Sequence, residues 1–274
     1  MAFLHLDATG QLDEDQAKAA AQGRAAEYAA AQPFPHIVID DFLPGDVLHR
    51  VLEEFPTTPA RQFDRAQEKL KSQYHPRECS PAIRALFAEL NSQGFLRFLK
   101  ALTGIRGLVP DPYFNGGGLH ETQAGGKLGI HADFNVHPVM KLQRRLNLLI
   151  YLNEDWDDEF GGKLELWDRA MTRCETSIAP VFGRAVIFDT DLDSYHGHPD
   201  PLACPPDRSR RSIATYYYTA FAGSEGAVRS KTTGFRRRPG SDDRRAVQSA
   251  LKDIWLDWAP PALQRQLARR KGED

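Results

Sequence analysis

Gly129-Ile130-His131-Ala132-Asp133-Phe134, taken together with Ser194-Tyr195-His196-Gly197-His198-Pro199 further along, is the part of the sequence that decides the fold. In an extended strand successive side chains point to opposite faces, so His131 and Asp133, two apart, point the same way and can bind one metal ion from one side. An imidazole from a distant strand would complete a set of two histidines and one carboxylate, and His196 and His198 are the two candidates, on one face of their own strand. Such a set covers one face of an octahedral ion and leaves the opposite positions open. His-x-Asp alone is a weak signal, so its neighbours carry the weight.

Downstream lie the strand-like run Leu146 to Asn153, Gly161-Gly162 before Leu164-Glu165-Leu166-Trp167, Gly183 to Phe188, His196, and Arg210-Arg211-Ser212 running on to Tyr218. In that order and spacing the segment from His131 to Thr219 resembles the 2-oxoglutarate- and iron(II)-dependent dioxygenases, in their prolyl-hydroxylase-like branch, over about a third of the chain. The resemblance implies a mainly β fold with flanking helices, built on a double-stranded β-helix (jelly-roll) core of about eight strands. It also implies iron(II) held by His131, Asp133 and His196 as metal ligands and catalytic centre, 2-oxoglutarate as cosubstrate, and ascorbate as a further candidate cofactor. Molecular oxygen would be consumed, succinate and carbon dioxide released, and an unactivated C–H hydroxylated in a peptidyl or free amino acid or another small molecule.

The family's last ligand is followed by a small or apolar residue, one further residue and proline, a pattern that fits His196-Gly197-His198-Pro199 with His196 as ligand. Its distal-carboxylate device is Arg-x-Ser on the last strand, which Arg210 and Ser212 match, with Arg211 the rival if the register differs by one. Arginine suits that task because its charge is permanent and its fork grips both carboxylate oxygens. Tyr151 matches a tyrosine that reaches the same carboxylate in similar enzymes, and Asn147 shares its face. The gap from His196 to Arg210 is longer than usual, with Leu202 to Ser209 inserted. Halogenases of this fold resemble the chain with glycine or alanine in place of Asp133, which argues against that chemistry. The alternative from another class is a non-catalytic, cupin-like jelly roll that binds metal or senses a small molecule, and it has no need of the arginine.

The chain has 274 residues, 41% of them hydrophobic and 26% charged, which fits a folded globular protein and excludes disordered and fibrous classes. A net charge of −2 argues for neither a nucleic-acid nor a membrane partner, and no apolar run approaches the ~20 residues of a spanning helix. Met1 to Asp7 has neither a basic start nor a long apolar core, so a cytoplasmic location is expected. Cys79, Cys174 and Cys204 are odd in number and widely spaced, which suits reduced thiols, and none has zinc-site spacing.

Three segments are expected: an N-terminal helical extension over residues 1–32, the dioxygenase domain over 33–222, and a C-terminal helical extension over 223–274 packed on the core. Asp13 caps a helix that runs to Ala31, His36 to Ile39 reads as a strand, and Asp46 to Phe55 as a helix. Arg61 to Arg77 is charged and weakly patterned, and reads as a loop or a lid. Ser80-Pro81 opens a helix to Leu90, and Phe95 to Leu102 forms another before Gly104. Gly116-Gly117-Gly118 reads as a hairpin connection, not a phosphate cradle, since no helix start follows it. In the strand from Arg145 to Leu152, Arg145, Asn147, Leu149 and Tyr151 share one face against aliphatics on the other. Asp189-Thr190-Asp191-Leu192-Asp193 resembles a calcium loop but lacks its glycine and follows a strand, so it reads as a turn. His120 and His137 read as structural histidines near the site. Lys231 to Gly240 is basic and turn-rich, and Asp242 to Trp258 and Ala262 to Arg270 read as two helices, with Trp255 and Trp258 on one packing face.

Overall fold

Helix capping is the first feature to pass from sequence into structure. The structure is a computed structural model, and it describes residues 1–221, 231–241 and 243. Helix α1 is Glu14–Ala30, and the Asp13 side chain accepts from the amide of Gln16 at its open end. Helix α2 is Gly45–Glu53, α3 is Pro81–Leu90 capped by the Ser80 hydroxyl, and α4 is Gln93–Thr103 capped by Ser92. Gly104 closes α4 in the left-handed conformation that glycine adopts without a Cβ clash. The four helices begin and end within about two residues of the bounds expected from the sequence. Among the described residues no helix is long and apolar enough to cross a membrane.

The strands are β1 His36–Ile39, β2 Arg61–Phe63, β3 Glu68–Tyr74, β4 Val109–Pro110, β5 Gly118–Ala132 and β6 Gln143–Tyr151. They continue as β7 Leu164–Trp167, β8 Cys174–Ile178, β9 Ala185–Asp189, β10 His196–His198, β11 Ser209–Thr219 and β12 Gly234–Phe235. Every pairing is antiparallel, and the main path runs β1-β9-β6-β11-β5-β10-β7-β8. Neighbours in space are mostly distant in sequence, the crossover pattern of a jelly roll, and the sheet curls into a nearly closed barrel. The long strand β5 ties the barrel together, with β11 and then β10 along one edge, and β3 and then β12 along the other.

Alternation on the sheet sorts the core into two layers. Leu146, Leu148 and Ile150 of β6 and Ile213 of β11 face the helices, where they pack with Phe87, Phe95, Phe98 and Leu102. On the other side, Tyr151, Leu164, Leu166, Val186 and Phe188 fill one end of the barrel. Each such side chain removed from water contributes about 1.5–3 kcal/mol, so the helical layer and the barrel interior stabilise the sheet from both faces.

Four expectations change. The charged stretch from Arg61 is a β2–β3 hairpin whose second strand pairs with β5, so main-chain pairing, not side-chain patterning, forms it. The glycine run is not a hairpin, because β4 and β5 both pair with β11 and not with each other. Gly118 sits at φ 120, and a Cβ there would lie 2.2 Å from the carbonyl oxygen of Tyr74, so the run lets β5 start against β3. In β6 the register against β11 jumps from Leu146 to Arg144, and Arg145 becomes the extra residue of a bulge. Arg144, not Arg145, therefore turns inward on the Asn147 side, and only 2% of it is exposed. Finally, the basic segment after Lys231 contains β12, whereas the helices expected from Asp242 onward, with Trp255 and Trp258, lie outside the described residues.

Gly118→Ala should destabilise the fold by about 2 kcal/mol or more, through the clash and the positive φ together. Gly23→Ala, on an exposed turn of α1 with nothing near its missing Cβ, should stabilise it by up to about 1 kcal/mol. Urea unfolding midpoints of the two variants check both signs.

Candidate active site

His131 and His196 face each other across the β5–β10 pairing, where they are directly opposed residues. Opposed residues in an antiparallel ladder are close enough for their side chains to meet, and the two imidazole centroids are 4.5 Å apart. Asp133 follows the last residue of β5 and brings its carboxylate between them. Its Oδ1 lies 3.6 Å from His131 Nε2 and its Oδ2 lies 3.5 Å from His196 Nε2. Among the described residues this is the one group of three or more His, Cys, Asp or Glu that could hold a metal ion, with ligand atoms all within 4.8 Å of one another.

The imidazoles are set for that task by their other nitrogens. His131 Nδ1 is 2.9 Å from the carbonyl of Gly129, and His196 Nδ1 is 2.9 Å from that of Ser194. A carbonyl only accepts, so each Nδ1 donates its proton and each Nε2 is the ring nitrogen left to face Asp133 and a metal ion. The donor set of two imidazoles and a carboxylate fits a first-row divalent ion such as iron(II).

The carboxylate of Asp133 is held from behind. Its Oδ2 accepts from Asn147 Nδ2 at 2.8 Å and pairs with an Arg144 terminal nitrogen at 3.0 Å. Burial would raise the Asp133 carboxyl, but the charge of Arg144, with His196 and His131, holds it well below the usual carboxylate range. Sequence alternation missed Arg144, and only the bulge at Arg145 puts it here.

A cavity of about 910 Å³ opens from these residues into the barrel. Arg210 lies along it, 6% exposed, with Nε donating to the Gly162 carbonyl at 2.8 Å and a terminal nitrogen to the Tyr151 hydroxyl at 3.3 Å. Gly162 makes room for it, since a Cβ there would sit 3.0 Å from Arg210 Cδ. Arg211 points the other way, to an ion pair with Glu121 at 2.9 Å and over the ring of Phe55. Ser212 also lines the cavity, whereas Asn147 commits both ends of its amide to Asp133 and Arg144. His198 is buried in the wall near Arg210 and Lys71, and its Nδ1 has no hydrogen-bond partner among the described residues.

Other candidates resolve into structure. His137 pairs with the buried Asp111 at 3.1 Å, and His120 Nε2 is 2.9 Å from the carbonyl of Gly116. Asp191 and Asp193 both pair with Arg169, so an arginine occupies the acidic turn. Phe235 of β12, unforeseen in the sequence, brings its ring to 5.5 Å from that of His131 and walls the cavity.

Burial lowers His196 to about 4 against the pull of Asp133, and burial with the charge of Arg210 holds His198 well below the usual histidine range. The unfolded chain takes up these protons near pH 6.5, where the folded chain does not. Stability of the metal-free protein should therefore rise with pH from about 4 to about 6.5, by up to about 1.4 kcal/mol per pH unit for each histidine. Chemical denaturation at pH 7.5, 6 and 5 measures this, and a flat profile would contradict it.

Residues 117–218 match the 2OG-Fe(II) oxygenase superfamily. No curated protein matches the sequence. Among solved structures, the chain is similar to a prolyl hydroxylase from Trichoplax adhaerens in complex with a hypoxia inducible factor peptide fragment, at 16% identity and TM-score 0.54, over 74% of this chain and 91% of that one. It is similar to a prolyl 4-hydroxylase from Phytophthora capsici at 18% identity and TM-score 0.50, over 76% of this chain and 66% of that one. A prolyl-4-hydroxylase from Pseudomonas putida matches at 19% identity and TM-score 0.49, over 73% and 98%. The match over residues 117–218 spans the whole candidate site, from His131 and Asp133 through His196 to Arg210 and Ser212, on a fold shared with prolyl hydroxylases.

Proposed function

We propose that the protein hydroxylates an unactivated C–H of a peptidyl or free amino acid or another small molecule, with iron(II) held by His131 Nε2, Asp133 and His196 Nε2. The observation that carries this reading is Arg210. It is a buried guanidinium whose hydrogen bonds go to a carbonyl and a phenol, with no carboxylate partner among the described residues. An unpaired buried charge is costly, and an anionic ligand in the cavity would offset the cost. A cavity that joins this cation to a His-Asp-His group fits a dicarboxylate with one end at the metal and the other at Arg210 and Ser212, with the Tyr151 hydroxyl supporting the guanidinium from behind. A cupin-like binding protein would have no use for that cation.

Iron(II), with 2-oxoglutarate and molecular oxygen, supplies an oxidant strong enough for C–H insertion and yields succinate and carbon dioxide. The protein's share is positioning and exclusion of water. Phe134, Tyr216 and Phe235 give the metal side of the cavity apolar walls, and the β2–β3 hairpin lines it with Arg61, Phe63 and Arg65. The solved neighbour from Trichoplax adhaerens carries a peptide, so peptidyl amino acids are the first substrates to test.

Purified protein with iron(II), 2-oxoglutarate, ascorbate as reductant and no substrate to hydroxylate should form succinate slowly, and only with oxygen present. Asp133→Ala should abolish this. Succinate formation unaffected by Asp133→Ala would refute the ligand set. His196→Ala should remove metal binding while His198→Ala retains it, and the reverse pattern would transfer the ligand role. Arg210→Ala should raise the apparent 2-oxoglutarate Michaelis constant by about two to three orders of magnitude, the usual cost of leaving a buried charge unpaired. Arg211→Ala, on the outer face, should leave it within about threefold.

A further inference from the structure

Either oxygen of Asp133 could reach a metal ion between the two imidazoles. Oδ1 is 3.6 Å from one Nε2 and Oδ2 is 3.5 Å from the other, and a carboxylate so placed can bind through one oxygen or both. What distinguishes the oxygens is their load. Oδ2 already takes the Asn147 amide at 2.8 Å and Arg144 at 3.0 Å. These donors form a closed set with Asn147 Oδ1, which accepts from Arg144 Nε at 2.9 Å and from its terminal nitrogen at 2.7 Å. Each of the three residues is thus oriented by the other two.

Arg144 itself has little freedom to swing away. Its guanidinium carbon lies 3.5 Å from the Tyr216 ring centroid and 4.8 Å from that of Phe134, and the Tyr216 hydroxyl is tied to the Gly116 carbonyl at 2.9 Å. The backbone bulge at Arg145 is what aims it inward. A lysine would keep the charge but could not reproduce a planar fork that serves two acceptors from between two rings.

We propose that Arg144 is a positioning residue which, with Asn147, reserves Oδ2 so that Asp133 offers the metal Oδ1 alone and leaves the adjoining coordination position to the cosubstrate. The inference rests on the ligand set proposed above. Three protein atoms leave three positions of an octahedral ion, two for a chelating 2-oxo acid and one for oxygen. A carboxylate bound through both oxygens would take one of these three. Loss of Arg144 should therefore weaken the cosubstrate more than the metal, which distinguishes positioning from a merely structural ion pair.

The test uses the full chain under anaerobic conditions, with iron(II) affinity measured first and 2-oxoglutarate then titrated by its visible charge-transfer absorption. Arg144→Met and Arg144→Lys should both bind iron(II) within about threefold of the parent, while the 2-oxoglutarate dissociation constant rises about tenfold or more, as expected for residues that orient ligands. Asn147→Ala removes the second donor to Oδ2 while keeping the Arg144–Asp133 pair, and should show the same split if Arg144→Met fails to fold. Unchanged 2-oxoglutarate affinity and an unchanged band in the folded variants would overturn the proposal and leave Arg144 a structural group. Loss of metal and cosubstrate in equal proportion would overturn it as well. If the parent itself gives no band, the ligand reading fails first and this inference falls with it.

Discussion

The antiparallel pairing of β5 with β10 places His131 directly opposite His196, and the rest of the site depends on that register. A slip of one residue would turn every side chain of β10 to the other face, exchanging the metal side for the barrel wall. The register is held from several directions. β10 is gripped between β5 and β7, β12 pairs with His131 and Ala132 at the C-terminal end of β5, and the Nδ1 bonds of both histidines lock their rings to neighbouring carbonyls. The two candidate imidazole ligands are thus set by the sheet, with Asp133 one residue beyond the end of β5.

Two buried charges give the cavity its direction. At one end the Asp133 carboxylate is matched by Arg144, and a metal ion would add to a charge balance already satisfied. At the other end Arg210 has polar but uncharged partners, and burial lowers its pKa from the usual arginine value. A dianion that bridges the two ends supplies what each lacks, a chelating group at the metal and a counter-charge at the guanidinium. Under the proposed function this complementarity would orient the cosubstrate before any substrate arrives and leave the walls of Phe134, Tyr216 and Phe235 for the group to be oxidised.

Much of this was legible in the sequence wherever one local rule dominates. Capping residues marked α1 and α3, the His-x-Asp spacing put two candidate ligands on one face, and alternation sorted Leu146, Leu148 and Ile150 from Asn147 and Tyr151. Reading failed where long-range pairing overrides the local pattern. Arg144 was hidden because a bulge is a property of two strands, and alternation in one strand pointed to Arg145. The β2–β3 hairpin has a largely exposed, charged first strand with no hydrophobic period, and β12 is two residues long, so neither leaves a trace in composition. The choice between Arg210 and Arg211 turned on how β11 pairs with β5 and β6, which no spacing within β11 encodes.

The most direct measurement is anomalous diffraction at the iron edge from crystals grown without oxygen in the presence of iron(II) and 2-oxoglutarate. The account predicts one peak about 2.0–2.2 Å from His131 Nε2, His196 Nε2 and an oxygen of Asp133, with the distal carboxylate of 2-oxoglutarate against Arg210. A peak held by His198, or a cosubstrate whose distal carboxylate avoids Arg210, would contradict it.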